Sequence, residues 1–221
     1  MGKKVFKLAG GAVRLLSHRM TTTWEVPFEE GPCVFVANYV GAYGPVDMCV
    51  KFPLREKIHP WINSELLKAG EIPAYMKKEY LRRNGAVMKQ TVPYIGAAFI
   101  PPILKGVDYI PVYNDQRSIT TFRQSIRMLQ KGHYLLIFPE IPSGWKKQQD
   151  KQGGAIYTGW LRLGELWYRA SGRALKIYPV HVDTKKHEFN VAAPVWYEPD
   201  KRFQEQENTL AEKLVKGIQG I

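Results

Sequence analysis

The chain is poor in cysteine, poor in acidic residues and without a long apolar segment, and each shortage excludes a class of protein. Its two cysteines, Cys33 and Cys49, are too few for a disulfide-rich scaffold and form no metal-type pattern. The uncharged run at residues 90–104 is shorter than the roughly 20 residues that span a bilayer, and prolines interrupt it. The first residues lack the apolar core and cleavage site of a secretory signal. We therefore expect a cytoplasmic protein with no membrane-spanning helix.

Signatures of metal and nucleic-acid binding are also missing. The five histidines show no metal-ligand spacing, so we expect no bound metal. The excess of 32 Lys and Arg over 20 Asp and Glu gives a net charge of +12, which favours nucleic acid, an anionic membrane or a phosphorylated small molecule. No helix-turn-helix, zinc or aromatic RNA-binding signature is present. We therefore expect an anionic membrane surface as a partner, and no nucleic acid.

The amino-terminal segment is the part of the chain best suited to such a surface. Residues 1–20 predict an amphipathic helix, in which apolar Val5, Leu8 and Ala12 recur at helical spacing and basic side chains surround them. Such a helix lies on a membrane or packs on the protein's own core, and the net charge favours the membrane. We predict peripheral attachment to the inner membrane face.

The rest of the chain alternates short apolar runs with helical patterns. Strands are predicted at residues 33–37, 107–113, 134–138 and 175–182, and helices at residues 118–131 and 157–170. This alternation predicts an α/β fold of three layers, with a mostly parallel central sheet flanked by helices. We expect a single domain over residues 1–221, with the α/β core at 21–200 and a helix at 201–221.

Polar residues and turns follow two of these strands. Asn38 comes directly after the strand at 33–37, and Gly41 and Gly44 then give a tight turn in which a ligand can approach the backbone. Glu140 follows the strand at 134–138, and a turn begins directly after it. Open α/β sheets bind their ligands where buried parallel strands end in such turns. A core strand followed by an ordinary loop is the alternative.

Five segments in this order resemble the glycerolipid (lysophospholipid) acyltransferase family, over roughly residues 30–185. The segments are Val34–Ala37 into Asn38, Ile110-Pro111-Val112, Gly132, Phe138-Pro139-Glu140 and Tyr178-Pro179-Val180. In that family the first strand leads into Asn-His-x-x-x-x-Asp. The His takes the proton from an acceptor hydroxyl, the Asp orients the His, and turn amides stabilise the oxyanion.

The resemblance implies what the substrates are. The acyl donor would be a thioester of coenzyme A or of acyl carrier protein, which makes acyl carrier protein a candidate partner. The acceptor would be a glycerolipid-like or other hydroxyl or amine, and no further cofactor is implied.

The chain departs from the family pattern at the residues that carry the chemistry. Tyr39 stands at the His position and Gly44 at the Asp position. A phenol with a pKa near ~10 is almost wholly protonated at neutral pH and is a poor base. Asn114 stands where the family has a phosphate-binding Arg, and residues 141–143 differ from the family's Gly-Thr-Arg.

Three interpretations follow. The protein is a divergent acyltransferase with another base, such as Asp47, His59 or His181. Alternatively it is an inactive homologue that binds an acyl or phospholipid ligand, or, least favoured, a nucleic-acid module that shares only the sheet. We favour the first, because the turn glycines and basic residues are retained. The candidate catalytic residues are Tyr39, Asp47 and Glu140. The candidate substrate-binding residues are Asn38, Gly41, Gly44, Asn114, Arg117, Ser143 and Lys146.

Overall fold

The computed structural model describes residues 11, 18–40, 43–68, 70, 72–79, 94, 106–113, 115–139 and 156–220. The strands are β1 (Thr21–Trp24), β2 (Cys33–Ala37), β3 (Ile58–Asn63), β4 (Ile110–Val112), β5 (Tyr134–Ile137), β6 (Lys176–Asp183), β7 (Glu188–Val191) and β8 (Val195–Trp196). The helices are α1 (Tyr43–Lys51), α2 (Ile72–Glu79), α3 (Ser118–Gln130), α4 (Arg162–Ser171) and α5 (Phe203–Gln219). Short 3-10 turns lie at Arg55–Lys57, Ser64–Leu67 and Gly159–Leu161. None of the described helices is long and apolar enough to cross a membrane.

The strands form one sheet in the order β1-β7-β6-β2-β5-β3-β4, with β8 also paired to β6. The strands from β6 to β4 run parallel to one another. Strands β7 and β8 run antiparallel to β6, and β1 runs parallel to β7. The predicted α/β fold with a mostly parallel sheet is therefore confirmed.

Strand β2 lies near the middle of the sheet and contributes side chains to both faces. All five of its residues are fully buried. Because side chains alternate along a strand, Phe35 packs with Met48 and Phe52 on the face covered by α1, which we call the α1 face. Val34 and Val36 pack on the other face, the α5 face, with side chains of α3, α4 and α5. Helices on both faces of the sheet give the three predicted layers.

Helix α3 ends at a left-handed glycine directly before β5. Gly132 has φ +75°, and its amide donates to the carbonyl of Leu129 at 3.0 Å. The next amide, of His133, donates to Met128 at 3.1 Å. These two bonds satisfy carbonyls that the helix end would leave unpaired. The predicted stop at Gly132 is therefore present, and β5 begins two residues later.

Some predicted boundaries differ from the structure. The strand predicted at 107–113 is only Ile110–Val112. Before it, the carbonyl of Asp108 accepts a hydrogen bond from the side chain of His59 on β3. The helix predicted at 157–170 begins as a 3-10 turn, and α4 itself starts at Arg162. The predicted amphipathic helix at 1–20 lies almost wholly outside the described residues.

Candidate functional site

The carboxyl ends of β6, β2 and β5 meet at one edge of the sheet, which we call the carboxyl edge. Asn38 directly follows β2 and bonds to β6 through its side chain. Its Oδ1 accepts from the amide of Val182 at 2.6 Å, and its Nδ2 donates to the Val182 carbonyl at 3.2 Å. A side-chain amide offers one acceptor and one donor group, as a peptide does. Asn38 therefore continues the pairing of β2 with β6 and fixes the backbone just before Tyr39.

Tyr39 lies beside the end of the neighbouring strand β5. Its ring meets the ring of Phe138 edge to face, with centroids 6.2 Å apart and an interplanar angle of 85°, an arrangement that aromatic pairs prefer. Phe138 packs against the α1 face, so this contact lies on that side of the sheet. The structure thus brings together Tyr39, which follows Asn38 after β2, and the aromatic residue that precedes Pro139 after β5.

Asp47, a candidate base, is already bonded to a cation. It lies one turn before Lys51 on α1, and its Oδ1 is 2.7 Å from the Lys51 Nζ. The two side chains are only 12% and 9% exposed, respectively. A buried carboxylate whose charge is balanced in this way stabilises its partner, and removing it would leave that partner buried and unpaired. In the structure the carboxylate of Asp47 is therefore occupied by an ion pair within α1.

Gly44, which the sequence resemblance assigns to the family's Asp position, lies in the first turn of α1. Pro45 follows it, and proline is common in a first helical turn because its missing amide hydrogen costs nothing there. The helical backbone at Gly44 has negative φ, which residues other than glycine adopt readily. The expectation that Gly44 belongs to a tight turn is therefore wrong, because the residue is helical.

Neither histidine suggested as a replacement base lies beside Tyr39. His59 is the second residue of β3, and Ile58 is in register with Tyr134, the first residue of β5. His59 is in register with Leu135 and, across β5, with Val34. Val34 lies five residues before Tyr39, which corresponds to about 16 Å along the strand at 3.3 Å per residue.

His181 lies on the α5 face, opposite the Tyr39 and Phe138 contact. Its Nδ1 is 2.9 Å from the carbonyl of Ile218 near the end of α5. Since a carbonyl only accepts, that nitrogen carries a hydrogen. The structure does not support either histidine as the base.

Arg117 lies beyond β4, three strands from β2, which corresponds to about 14 Å across the sheet. Its guanidinium holds Asp115 through two bonds, Nε to Oδ1 at 3.0 Å and an Nη to Oδ2 at 2.6 Å. It also lies over the ring of Tyr113, 4.5 Å from the centroid. Hydrogen bonding to Arg117 holds the pKa of the Asp115 carboxyl below its ordinary value. The predicted contact of Arg117 with a substrate stays a prediction.

Several candidate residues lie outside the described part of the chain. These are Gly41, Asn114, Glu140, Ser143 and Lys146. Their assignment to the site stays a prediction, as does a direct contact of Asn38 with a substrate.

The two cysteines do not supply an alternative nucleophile. Cys33 is fully buried at the start of β2, and burial raises the pKa of its thiol far above the ordinary value. Burial also raises the pKa of Cys49 to about 12. Both thiols are therefore protonated at neutral pH, and a protonated thiol is a poor nucleophile. The described residues include no group of three His, Cys, Asp or Glu side chains arranged to hold a metal.

Sequence reasoning missed the partners of Asn38 and Tyr39. Val182 lies 144 residues after Asn38, and no local pattern joins the two positions. Phe138 was part of the family-like segment, yet its role as the ring that contacts Tyr39 follows only from the pairing of β2 with β5. The one available signal was that both residues follow buried strands, which places them at the same edge of a parallel sheet.

Comparison with known proteins gives little beyond this geometry. No protein-family model and no curated protein matches the sequence. Among solved structures, the fold is similar to the crystal structure of the 1-acyl-sn-glycerophosphate (LPA) acyltransferase from Thermotoga maritima. The similarity covers 99% of this chain and 77% of that one, with 12% identity and a TM-score of 0.43. A similarity at this level assigns neither a family nor an activity to this chain.

Proposed function

We propose that the protein is a divergent acyltransferase that binds a fatty acyl thioester and a glycerolipid-like or other hydroxyl or amine acceptor at the carboxyl edge. The observation that carries the proposal is the meeting of two family-like segments there. Asn38 is bonded to β6, and Tyr39 contacts Phe138 at the end of β5. Ligands of parallel α/β sheets bind at this edge.

The transfer step needs a group that removes the acceptor's proton. The acceptor oxygen or nitrogen would bond to the thioester carbonyl carbon, the carbon–sulfur bond would break, and the thiol would leave with the proton. The sequence resemblance assigns Tyr39 to the position of the family base, and its phenol is a poor base unless its pKa is strongly lowered. Turnover is therefore expected to be slow, and Glu140 is the remaining carboxylate candidate near Phe138 in the sequence.

A second candidate function is ligand binding without transfer. It is favoured by what the suggested replacement bases contact. Asp47 is paired with Lys51, and the two histidines, His59 and His181, bond to backbone carbonyls away from Tyr39. In this case the same edge would hold a phospholipid or an acyl thioester, and no acyl group would move.

The proposed place of action is the cytoplasmic face of an anionic membrane. The net charge of +12 supports this, since polybasic surfaces are attracted to anionic lipids. Acyl carrier protein, which is acidic, is proposed as an alternative donor to coenzyme A.

Two measurements test the proposal. Native mass spectrometry of the purified protein would show a co-purified lipid or acyl thioester. A turnover assay would then use acyl-coenzyme A with lysophosphatidic acid, on the wild type, on Tyr39→Phe and on a matched control, Tyr168→Phe, whose ring is exposed on α4.

Each outcome assigns one function. Turnover that falls in Tyr39→Phe and not in Tyr168→Phe would support an enzyme in which the Tyr39 hydroxyl takes part. Bound ligand with no turnover in any form would support the binding protein. Neither ligand nor turnover, with any of several acyl chain lengths, would contradict both candidates.

A further inference from the structure

Two histidines at the amino ends of the parallel strands are used by neither proposed function. His59, on β3, is only 6% exposed, and His133 directly precedes β5. The two rings are nearly parallel, with an interplanar angle of 7°, and the Nε2 of His59 lies 2.6 Å from the Nδ1 of His133. This distance is that of a hydrogen bond between the two imidazoles.

A second short contact fixes which nitrogens carry hydrogen. The Nδ1 of His59 lies 2.6 Å from the carbonyl oxygen of Asp108. Because a carbonyl only accepts, this Nδ1 is the donor, and the Nε2 of neutral His59 must be an acceptor. The Nδ1 of His133 is then the donor to it. We call this chain of two hydrogen bonds, from His133 through His59 to Asp108, the histidine clasp.

The clasp lies where the sheet is held by few other bonds. Strand β3 pairs with β5 over only three residues, Ile58–Pro60, and the last of these is a proline with no amide hydrogen. Strand β4 pairs only with β3 within the described residues, so the two form an edge unit, the β3–β4 unit. The clasp joins this unit to the residue that starts β5.

The number of protons on the clasp decides whether it can form. With one extra proton, cationic His59 can donate through Nε2 if His133 moves its own hydrogen to Nε2. With two extra protons, both facing nitrogens carry hydrogen, and the contact at 2.6 Å becomes repulsive.

The surroundings disfavour the charged forms. Burial lowers the pKa of His59, and the positive charges of His133 and Lys131 lower it further, whereas the backbone bond and the charge of Asp108 raise it. The folded protein therefore binds protons at His59 less readily than the unfolded chain. The stability that the clasp contributes is complete above the ordinary pKa of about 6.5 and is lost as the pH falls through the lower, folded-state pKa.

We propose that the histidine clasp is a pH-sensitive latch, which holds the β3–β4 unit to β5 near neutral pH and releases it in acid. Neutral imidazoles bond in series from β5 through β3 to the segment before β4. In acid His59 is protonated more readily once the unit opens, because the buried contact disfavours its charged form, and the three-residue pairing with β5 holds the unit only weakly. The central strands contain no part of the clasp and stay closed.

Hydrogen–deuterium exchange of the full chain tests this. Protection factors, corrected for the intrinsic effect of pH on exchange, would be compared near neutral pH and at about pH 5, where an ordinary histidine is charged. Peptides over β3 and β4 should lose protection by up to about thirtyfold, because the opened unit has a histidine of ordinary pKa near ~6.5, which is about 1.5 units above pH 5. Peptides over β2 should keep theirs. Equal loss in all strands, or none in β3 and β4, would overturn the proposal.

Variants connect the effect to the clasp. In His133→Asn the side-chain nitrogen takes the place of Nδ1 as donor, its oxygen can accept from a cationic His59, and the group does not titrate. This variant should keep the β3–β4 unit protected in acid. His187→Asn is the matched control, because it removes an imidazole that stacks on His18, away from β3, and its acid response should equal that of the wild type. An acid response in His133→Asn as large as in the wild type would refute the latch.

Discussion

The backbone amide of Val182 donates a 2.6 Å hydrogen bond to the side-chain oxygen of Asn38, and the Asn38 amide donates back to the Val182 carbonyl. Two residues far apart in the chain thus pair as if Asn38 were one more strand residue. The bond pair defines where the turn after β2 begins. It also explains why an asparagine, with a donor and an acceptor on one planar group, suits this position.

We predict that Asn38→Ala destabilises the protein by about 1–3 kcal/mol, because it leaves both backbone groups of Val182 without their partner. Asn38→Asp keeps the acceptor but places a carboxylate oxygen against the Val182 carbonyl, so it should destabilise the protein at least as much. Chemical denaturation measures both. The control is Asn208→Ala, an exposed position inside α5, where alanine is neutral or stabilising. Equal stability of Asn38→Ala and wild type would show that the bond pair contributes nothing.

The pair Asp47 and Lys51 gives a second prediction. Asp47→Asn should cost about 3–5 kcal/mol, because it leaves the Lys51 ammonium buried without a counter-charge. Replacing both, as Asp47→Leu with Lys51→Met, should recover most of that loss. The exposed pair of Arg169 and Glu165 has the same spacing on α4, and Glu165→Gln should cost less than about 1 kcal/mol. If Asp47→Asn has the same denaturation midpoint as the wild type, the ion pair does not stabilise the protein.

The sequence predicts the central strands well because they are buried on both faces. Strands β2 and β5 are continuous apolar runs, and such runs mark the middle of a parallel sheet. The end of α3 was equally readable, since only a left-handed residue fits at Gly132. In both cases the sequence pattern lies within a few consecutive residues, so the strand or the helix end can be recognised without knowing which distant residues it contacts.

Strand β3 was not predicted, and its composition explains why. Its sequence contains His59, Pro60 and Asn63, and proline normally argues against a strand inside a sheet. The proline is tolerated because it is the last residue that pairs with β5. His59 is tolerated because His133 and Asp108 satisfy both its nitrogens. The residues that make this strand possible lie far from it in the sequence, and local sequence patterns do not identify them.

The site was predictable to the level of an edge and no further. Asn38 was predicted directly after one buried strand and Phe138 at the end of another, and in the structure both lie at the carboxyl edge, directly after β2 and β5. The role of each polar residue depends on which side chains it contacts. Asp47 was a candidate base because it is a carboxylate, yet Lys51, one helical turn later, forms an ion pair with it.

A third prediction concerns membrane binding. Anionic vesicles should sediment the protein in low salt, and high salt should weaken this, because counterions screen basic side chains. Replacing Lys3, Lys4 and Lys7 by glutamine should reduce binding more than the same change at Lys185, Lys213 and Lys216, which are exposed elsewhere. Equal binding to neutral and anionic vesicles, or equal loss in the two triple variants, would contradict attachment through the amino-terminal segment.

The last prediction restores the missing base. A general base contributes about 10²–10⁴-fold to rate, so Tyr39→His should raise acyl transfer to lysophosphatidic acid if the pocket still binds both substrates. Adding Gly44→Asp should raise it further by orienting the imidazole. Gly44 lies in a helix, a backbone conformation that aspartate adopts without strain, and a carboxylate in the first turn of α1 is favoured by the helix dipole.

The single variants separate the two effects. Gly44→Asp alone supplies a carboxylate without an imidazole, so it should leave turnover at the wild-type rate while keeping the wild-type melting temperature. Tyr39→His replaces the six-membered ring that meets Phe138, whereas Tyr39→Phe keeps that ring and removes only the hydroxyl, so comparing their melting temperatures shows what the ring contact contributes to folding. A double variant that folds, binds ligand and shows no more turnover than Gly44→Asp would mean that the carboxyl edge no longer places an acceptor hydroxyl beside position 39. In that case binding without transfer is the better description of the protein.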